Sequence, residues 1–153
     1  MKINLLCGPN CKTDYWNIDH RINLCKPEGH KFSAGYYNNL DPLIEDESCE
    51  EVFVSEVLNI LQPQEMIKVI EHWAKKVVKG GVLNIRFVDI FFAAQAISGK
   101  ILNSESSNRV INGNGSFNSV LEFAAVKEVL GSLGLRINKL TSNIITEIEA
   151  IKQ

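Results

Sequence analysis

The sequence predicts an α/β protein: a three-layer sandwich around a mostly parallel sheet, with an antiparallel strand near the carboxyl end of the chain. Short apolar, strand-like segments alternate with amphipathic segments of helical spacing, and a closing pair of strand-like segments ends the chain. The 153 residues contain no internal repeat and no linker-like stretch. We therefore expect a single domain over residues 1–153, because this is the usual length of one domain.

The first half of the chain predicts four strands, over residues 3–6, 15–18, 32–37 and 52–54. The first strand stops sharply at Gly8-Pro9, and the second ends on Asp19. Residues 20–31 are polar and predict a loop. The acidic run at 45–51 is typical of a solvated face.

The second half predicts helices over residues 63–79, 91–97 and 123–133, and strands over 82–88, 135–140 and 144–151. Pro63 suits the first turn of its helix, and Gly80-Gly81 is expected to end it. His72 falls on the polar face of that helix, so we expect it to be exposed. Residues 103–116 are rich in Asn, Ser and Gly and predict a mobile loop, which is a candidate lid over a ligand.

The composition excludes several classes of partner. The formal net charge is -2, so a broad basic surface for nucleic acid is not expected. The longest apolar run, 87–97, is too short to cross a bilayer, so no membrane partner is expected. Four cysteines lie in the first third of the chain, at positions 7, 11, 25 and 49. Without an export signal they predict reduced thiols and a cytoplasmic location, and their spacing predicts no metal site.

Gly8 and Asp19 follow two strands that are expected to be neighbours. In an open parallel sheet, nucleotide-like ligands bind in the crevice at the carboxyl ends of the strands. A tight turn at Gly8 and a turn or cap carboxylate at Asp19 would explain the same residues without a ligand. A nicotinamide site is disfavoured, because the Gly-x-Gly-x-x-Gly pattern is missing after the first strand.

Several motifs follow one another in a characteristic order: Leu6-Cys7-Gly8-Pro9-Asn10, Asn17-Ile18-Asp19, Asn39-Leu40, Val52-Phe53-Val54-Ser55-Glu56-Val57-Leu58, and Lys79-Gly80-Gly81. With this order the chain resembles the class I S-adenosylmethionine-dependent methyltransferases, specifically their compact type-11-like branch. The resemblance implies a Rossmann-like methyltransferase fold and S-adenosylmethionine as cofactor. It also implies in-line methyl transfer, and a homodimer is compatible with it. We expect the acceptor to be a small molecule or a glycan-linked group, because no basic surface suggests nucleic acid.

The resemblance carries cofactor contacts to the matching positions of this chain, which are Leu5, Cys7, Gly8, Asp19, Asn39, Leu40 and Ser55. Leu5 and Cys7 would contribute backbone, and Asp19 would accept hydrogen bonds from the ribose hydroxyls. Asn39 would lie near the adenine amino group, with Leu40 packed on the ring. The resemblance assigns no catalytic residue.

Two departures from the family pattern keep a second interpretation open. Leu6 stands where the family has glycine, and Glu56 and Ile60 stand where it has histidines. A branched side chain at position 6 would intrude where the backbone approaches the ligand. The alternative is therefore a catalytically inactive protein of the same fold that serves as a binding or scaffold partner.

Overall fold

A computed structural model describes residues 1–24 and 28–153 of the chain. The seven strands are β1 (Lys2–Leu5), β2 (Trp16–Ile18), β3 (Phe32–Ser33), β4 (Cys49–Ser55), β5 (Val77–Val88), β6 (Leu135–Thr141) and β7 (Ile145–Lys152). The α-helices are α1 (Val57–Ile60), α2 (Met66–Lys76), α3 (Ile90–Ser98), α4 (Ser104–Asn112) and α5 (Phe123–Ser132). Cys25, expected to be a reduced thiol, lies outside the described residues.

The strands form one mixed sheet in the order β3-β2-β1-β4-β5-β7-β6. Neighbouring strands from β3 to β5 run parallel, whereas β7 runs antiparallel to both β5 and β6. The chain order reverses between β1 and β4, which is where ligands bind in open α/β sheets. The predicted α/β class, with a mostly parallel sheet and antiparallel pairing at its carboxyl end, is confirmed.

One face of the sheet is apolar and packs against α2 and α5. Alternate residues of the central strands point to this side and are almost completely buried: Ile3, Leu5, Val52, Val54, Leu83 and Ile85. Trp73 of α2 lies in the same core, and its Nε1 donates to the carbonyl of Tyr37 at 2.7 Å. Burial of this stripe provides most of the stability of the helical layer.

The opposite face of the sheet is more polar, with buried Asn4, Asn17 and Phe53 and half-buried Asn84 and Arg86. Between β1 and β2 the described chain forms turns instead of a helix. This segment covers Phe53 of β4 with Lys12, whose Nζ lies 3.6 Å from the ring centroid, and with the ring of Tyr15 at 6.4 Å. Over β1 and β4, one layer of the expected sandwich is therefore made of loop. No helix among the described residues is long and apolar enough to cross a membrane.

The expectation that Gly80-Gly81 ends a helix is wrong. Helix α2 ends at Lys76, Val77 is already extended, and both glycines lie within β5. The register with β4 jumps from Cys49–Val77 to Glu51–Val82, so residues 78–81 bulge out. Gly80 has φ +78°, and a Cβ at Gly81 would lie 3.0 Å from the carbonyl oxygen of Glu50. The glycine pair serves this bulge and its close approach to β4.

Two other segments also differ from expectation. The third strand is only two residues long, because the chain turns away after Ser33. Residues 104–112 form α4 instead of a mobile loop: the side chain of Asn103 accepts from the Ser106 amide at 2.8 Å, and Gly113 ends the helix at φ 54°. This helix buries none of its residues, so it lacks the apolar stripe by which helices are found in a sequence.

His72 is not simply exposed, contrary to expectation. It is half-buried, and its Nε2 accepts a hydrogen bond from the backbone N–H of Leu40 at 2.9 Å. Burial lowers the pKa of His72 below its ordinary value of 6.5, and the hydrogen bond requires the unprotonated nitrogen. His72 therefore fastens the segment after β3 to helix α2.

We expect His72 to make the folded state sensitive to mild acid. Its pKa is lower in the folded than in the unfolded protein, so its stabilisation is present above pH 6.5 and is lost as pH falls from 6.5 through the folded-state pKa. We expect the free energy of unfolding in urea to fall between neutral and mildly acidic pH. The fall should be about 1 kcal/mol larger for the unmodified protein than for His72→Gln. Equal losses for the two proteins would contradict this role.

Candidate functional site

A cleft of about 690 Å³ opens at the carboxyl ends of β1 and β4. Its walls come from residues 6–10 after β1, from Arg21, from Ser55 and Glu56 at the end of β4, from Arg86 of β5 and from residues 116–118. This is the topological switch point of the sheet, where the sequence predicted a ligand crevice. The volume lies within the usual range for small-molecule sites.

Three residues in the cleft wall have left-handed backbone conformations. Gly8 has φ 50°, which costs a glycine little, but Leu6 and Glu56 have φ 52° and φ 60° and carry side chains. Backbone strain of this kind concentrates at functional sites, where the surrounding structure holds it in place. The Leu6 amide donates to the carbonyl of Ile18 at 2.8 Å, which fixes the turn against β2. Position 6 thus has a backbone conformation suited to glycine.

Asp19 joins the end of β2 to this turn. Its side chain is completely buried, and Oδ2 accepts a hydrogen bond from the Gly8 amide at 2.8 Å. The predicted neighbours Gly8 and Asp19 are therefore in direct contact. A carboxylate here holds the turn after β1 in register with the end of β2.

Arg21 completes the surroundings of Asp19, and sequence reasoning missed it. Its Nε donates to Asp19 Oδ1 at 3.1 Å, its Nη2 to Oδ2 at 3.0 Å, and its own amide to Oδ1 at 2.8 Å. Burial raises the pKa of Asp19, but the hydrogen bonds from Arg21 and Gly8 and the charge of Arg21 outweigh this effect, so the pKa is lowered overall. Asp19 is therefore ionised at neutral pH.

A pair of buried asparagines shapes the floor of the cleft. Asn4 Nδ2 donates to Asn17 Oδ1 at 2.8 Å and to the carbonyl of Asn10 at 3.1 Å. Asn17 Oδ1 also accepts from the Lys12 amide at 2.8 Å. These bonds hold the middle of the turn segment against β1 and β2. The signal in the sequence was a polar residue in the middle of each of two short buried strands.

At the other end of the cleft lie Ser55, Glu56 and Arg86. Ser55 and Arg86 are paired across β4 and β5, and the Glu56 amide donates to the Arg86 carbonyl at 2.7 Å. The Arg86 side chain forms an ion pair with Glu147 of β7, Nε to Oε2 at 3.5 Å. This end therefore presents a hydroxyl, a carboxylate and a guanidinium close together.

The structure brings some of the predicted site residues together and leaves others apart. Leu5, Cys7, Gly8 and Ser55 line the cleft, and the buried side chain of Leu5 leaves only its backbone for a ligand. Asn39 is exposed, and neither it nor Leu40 lies among the lining residues. Leu40 is completely buried in the core, so its side chain offers no surface to an adenine ring in this conformation.

Two thiols meet beside the turn. Cys7 Sγ and Cys11 Sγ are 3.6 Å apart, without a disulfide between them. In the part of the chain that the structure describes, no three His, Cys, Asp or Glu side chains are grouped so as to hold a metal ion.

No protein-family model and no curated protein matches this sequence. Solved structures do match. A SAM-dependent methyltransferase from Archaeoglobus fulgidus is 14% identical with a TM-score of 0.72, over 99% of this chain and 85% of that one. A S-adenosylmethionine-dependent methyltransferase from Mesorhizobium loti is 10% identical with a TM-score of 0.72, over 99% and 90% of the two chains.

Another match is the magnesium protoporphyrin IX methyltransferase of Synechocystis PCC 6803, solved with bound SAH. It is 14% identical with a TM-score of 0.69, over 100% of this chain and 74% of that one. At such identities the likeness establishes the fold. The chain has the Rossmann-like fold of the class I S-adenosylmethionine-dependent methyltransferases.

Proposed function

We propose that this protein binds S-adenosylmethionine in the cleft between β1 and β4 and transfers its methyl group to a small-molecule or glycan-linked acceptor. The observation that carries the proposal is the position of the cleft. It opens at the switch point of a methyltransferase-type sheet and is walled by the left-handed turn after β1, next to the buried Asp19. A cytoplasmic location fits the free thiols of Cys11 and Cys49.

The residues present fit such a cofactor. Gly8 carries no Cβ, so a ligand can approach its backbone closely, and the cleft volume of about 690 Å³ accommodates a nucleoside with an amino-acid tail. Asp19 is ionised, and carboxylates are strong acceptors for hydroxyl groups, although Gly8 and Arg21 occupy its oxygens in this conformation. Leu5 and Cys7 would contribute backbone groups, Ser55 a hydroxyl, and Asn39 would reach the adenine by movement of its exposed segment.

Catalysis in this cleft would rest mainly on positioning. The bound cofactor supplies a methyl group on a sulfonium, which reacts by in-line displacement. The chain would hold the cofactor and the acceptor in line, an effect that can lower the activation barrier of a bimolecular reaction by about 7–11 kcal/mol. Glu56 is exposed at the same edge as Ser55, where its carboxylate can orient an acceptor or accept a proton from it.

Calorimetric titration with S-adenosylmethionine and with S-adenosylhomocysteine tests the proposal. We expect saturable binding of both at one site per chain, together with a rise in melting temperature as ligand is added. Absence of heat and of any thermal shift with both compounds would overturn the proposed function.

The inactive alternative is favoured by one observation: the Leu6 side chain lines the cleft at a position whose backbone conformation suits glycine. An active enzyme accumulates S-adenosylhomocysteine when acceptor is supplied. A binding or scaffold protein does not, even when it holds the cofactor.

We expect Leu6→Gly to tighten cofactor binding by roughly tenfold, because it removes a branched side chain from the cleft and relaxes the left-handed turn. Leu6→Ala separates the two effects, since it clears the side chain but keeps the unfavourable φ. Calorimetry should rank affinity as Leu6→Gly first, Leu6→Ala second and the unmodified protein third. Weaker binding by both variants would show that Leu6 contributes to the site instead of obstructing it.

A further inference from the structure

The Asp19 carboxylate has no capacity left for a ligand in this conformation. Oδ1 accepts from the amide and the Nε of Arg21, and Oδ2 accepts from the Gly8 amide and from Arg21 Nη2. A carboxylate offers about four lone-pair positions, so these donors fill them. The side chain is also completely buried. Ribose hydroxyls can therefore bind Asp19 only after a present donor has left.

The four donors differ in how easily they can leave. The amides of Gly8 and Arg21 belong to the backbone, so displacing either one would require the turn or the end of β2 to refold. The side chain of Arg21 is 38% exposed and Arg21 lines the cleft, so its guanidinium can move into water. It fills one position on each carboxylate oxygen, and its departure would free two acceptor positions. A ribose diol brings two hydroxyl donors.

We propose that Arg21 is a gate at the ribose subsite: its guanidinium occupies the positions on Asp19 that the diol takes, and cofactor binding exchanges one for the other. The inference rests on the proposed function, because it assumes a nucleoside ligand. It goes beyond that function by assigning a residue that sets the affinity of the site. A contact of Arg21 Nη2 with the Leu6 carbonyl at 3.4 Å also holds the gate shut.

The exchange explains how a carboxylate can be both buried and a binding group. While the site is empty, Arg21 neutralises Asp19, so no charge is left unpaired in the protein interior. The ligand then binds only the fraction of molecules in which the guanidinium has moved away, which weakens its apparent affinity by that fraction. Removing the guanidinium should therefore tighten binding although it destabilises the empty protein.

The test is calorimetric titration of S-adenosylhomocysteine into the unmodified protein, Arg21→Gln and Arg21→Lys. We expect the dissociation constant of Arg21→Gln to be about tenfold lower than that of the unmodified protein, because the ligand no longer has to displace a charge-assisted hydrogen-bonded pair. Arg21→Lys keeps the charge without the planar guanidinium, so its dissociation constant should lie between those of the unmodified protein and Arg21→Gln. The matched control is Arg136→Gln, the same change at an exposed arginine of β6, which should leave the affinity unchanged.

Three further readouts separate a gate from a merely structural ion pair. Without ligand, Arg21→Gln should melt at a lower temperature than the unmodified protein. Saturating S-adenosylhomocysteine should raise the melting temperature of Arg21→Gln by more than that of the unmodified protein. Raising the salt concentration should modestly tighten binding to the unmodified protein, because the Arg21 side chain is 38% exposed and ions can screen its charge although Asp19 is buried. The same change should affect binding to Arg21→Gln less. A 2′,3′-dideoxyadenosine probe should bind the variant and the unmodified protein equally, since it lacks the diol.

The possible outcomes distinguish a failure of the gate from a failure of the proposed function. Unchanged or weaker binding by Arg21→Gln, with the fold intact by circular dichroism, overturns the gate and leaves the proposed function standing. No binding by any form of the protein overturns the proposed function and the gate with it. Binding by Arg21→Gln but not by the unmodified protein is the strongest support for the gate. Should Arg21→Gln fail to fold, Arg21→Lys and the salt series decide the question.

Discussion

Replacing Asp19 by alanine is expected to weaken cofactor binding by at least about a hundredfold. A site built to pair with hydroxyl groups loses far more than a hydrophobic contact when its acceptor is removed. Asp19→Ala also leaves the amides of Gly8 and Arg21 without their acceptor, which loosens the turn that forms the cleft wall. Titration with S-adenosylhomocysteine measures the loss.

Two variants sharpen this prediction. Asp19→Asn keeps the shape and one acceptor oxygen, so its affinity should lie between those of the unmodified protein and Asp19→Ala. Asp14→Ala removes an exposed carboxylate from the segment between β1 and β2 and should leave the affinity unchanged. Unchanged binding by Asp19→Ala, with the melting transition preserved, would move the ligand away from the crevice at the end of β2.

Replacing Asp89 by alanine is expected to cost roughly 2–4 kcal/mol of unfolding free energy. Asp89 follows β5 and is 1% exposed. Each of its carboxylate oxygens accepts a hydrogen bond from an amide at the start of a helix. Oδ1 accepts from the Phe91 amide of α3 and Oδ2 from the Phe123 amide of α5, each at 2.9 Å. One carboxylate therefore caps two helices that are far apart in the sequence.

Urea unfolding measures this loss. Asp89→Asn retains one acceptor and should lose about half as much as Asp89→Ala. The control is Glu105→Ala, which removes an exposed carboxylate from the first turn of α4 and should cost less than about 0.5 kcal/mol. A loss for Asp89→Ala as small as that of the control would contradict the double cap.

The sheet and the position of the crevice could be predicted from the sequence because they depend on local patterns. The strands around Asn4 and Val52 are short apolar runs, and the turn at Gly8 follows the first of them. Helix α4 could not be predicted, because it is held by the cap at Asn103 and not by burial. Gly80 resembles a helix stop in sequence, although its neighbours pair with β4.

The site itself was only partly predictable, since its geometry depends on contacts between separate segments. The contact of Gly8 with Asp19 follows from strands that end side by side. The role of Arg21 depends on how the chain turns after β2, which nothing in the local pattern specifies. Leu40 shows the opposite case, because the hydrogen bond from its amide to His72 draws it into the core and away from the cleft.

The proposed function and the gate both require the cofactor to bind at the turn after β1, on Asp19. Amide and arginine-side-chain nuclear magnetic resonance of the labelled protein, titrated with S-adenosylhomocysteine, tests this binding site. We expect saturable shifts of the Gly8 amide and of the Arg21 Nε–H, with the latter losing its hydrogen-bonded position as the ligand binds. Shifts confined to residues outside the cleft, such as Lys127 and Gly131 on α5, or no shifts at all, would contradict it.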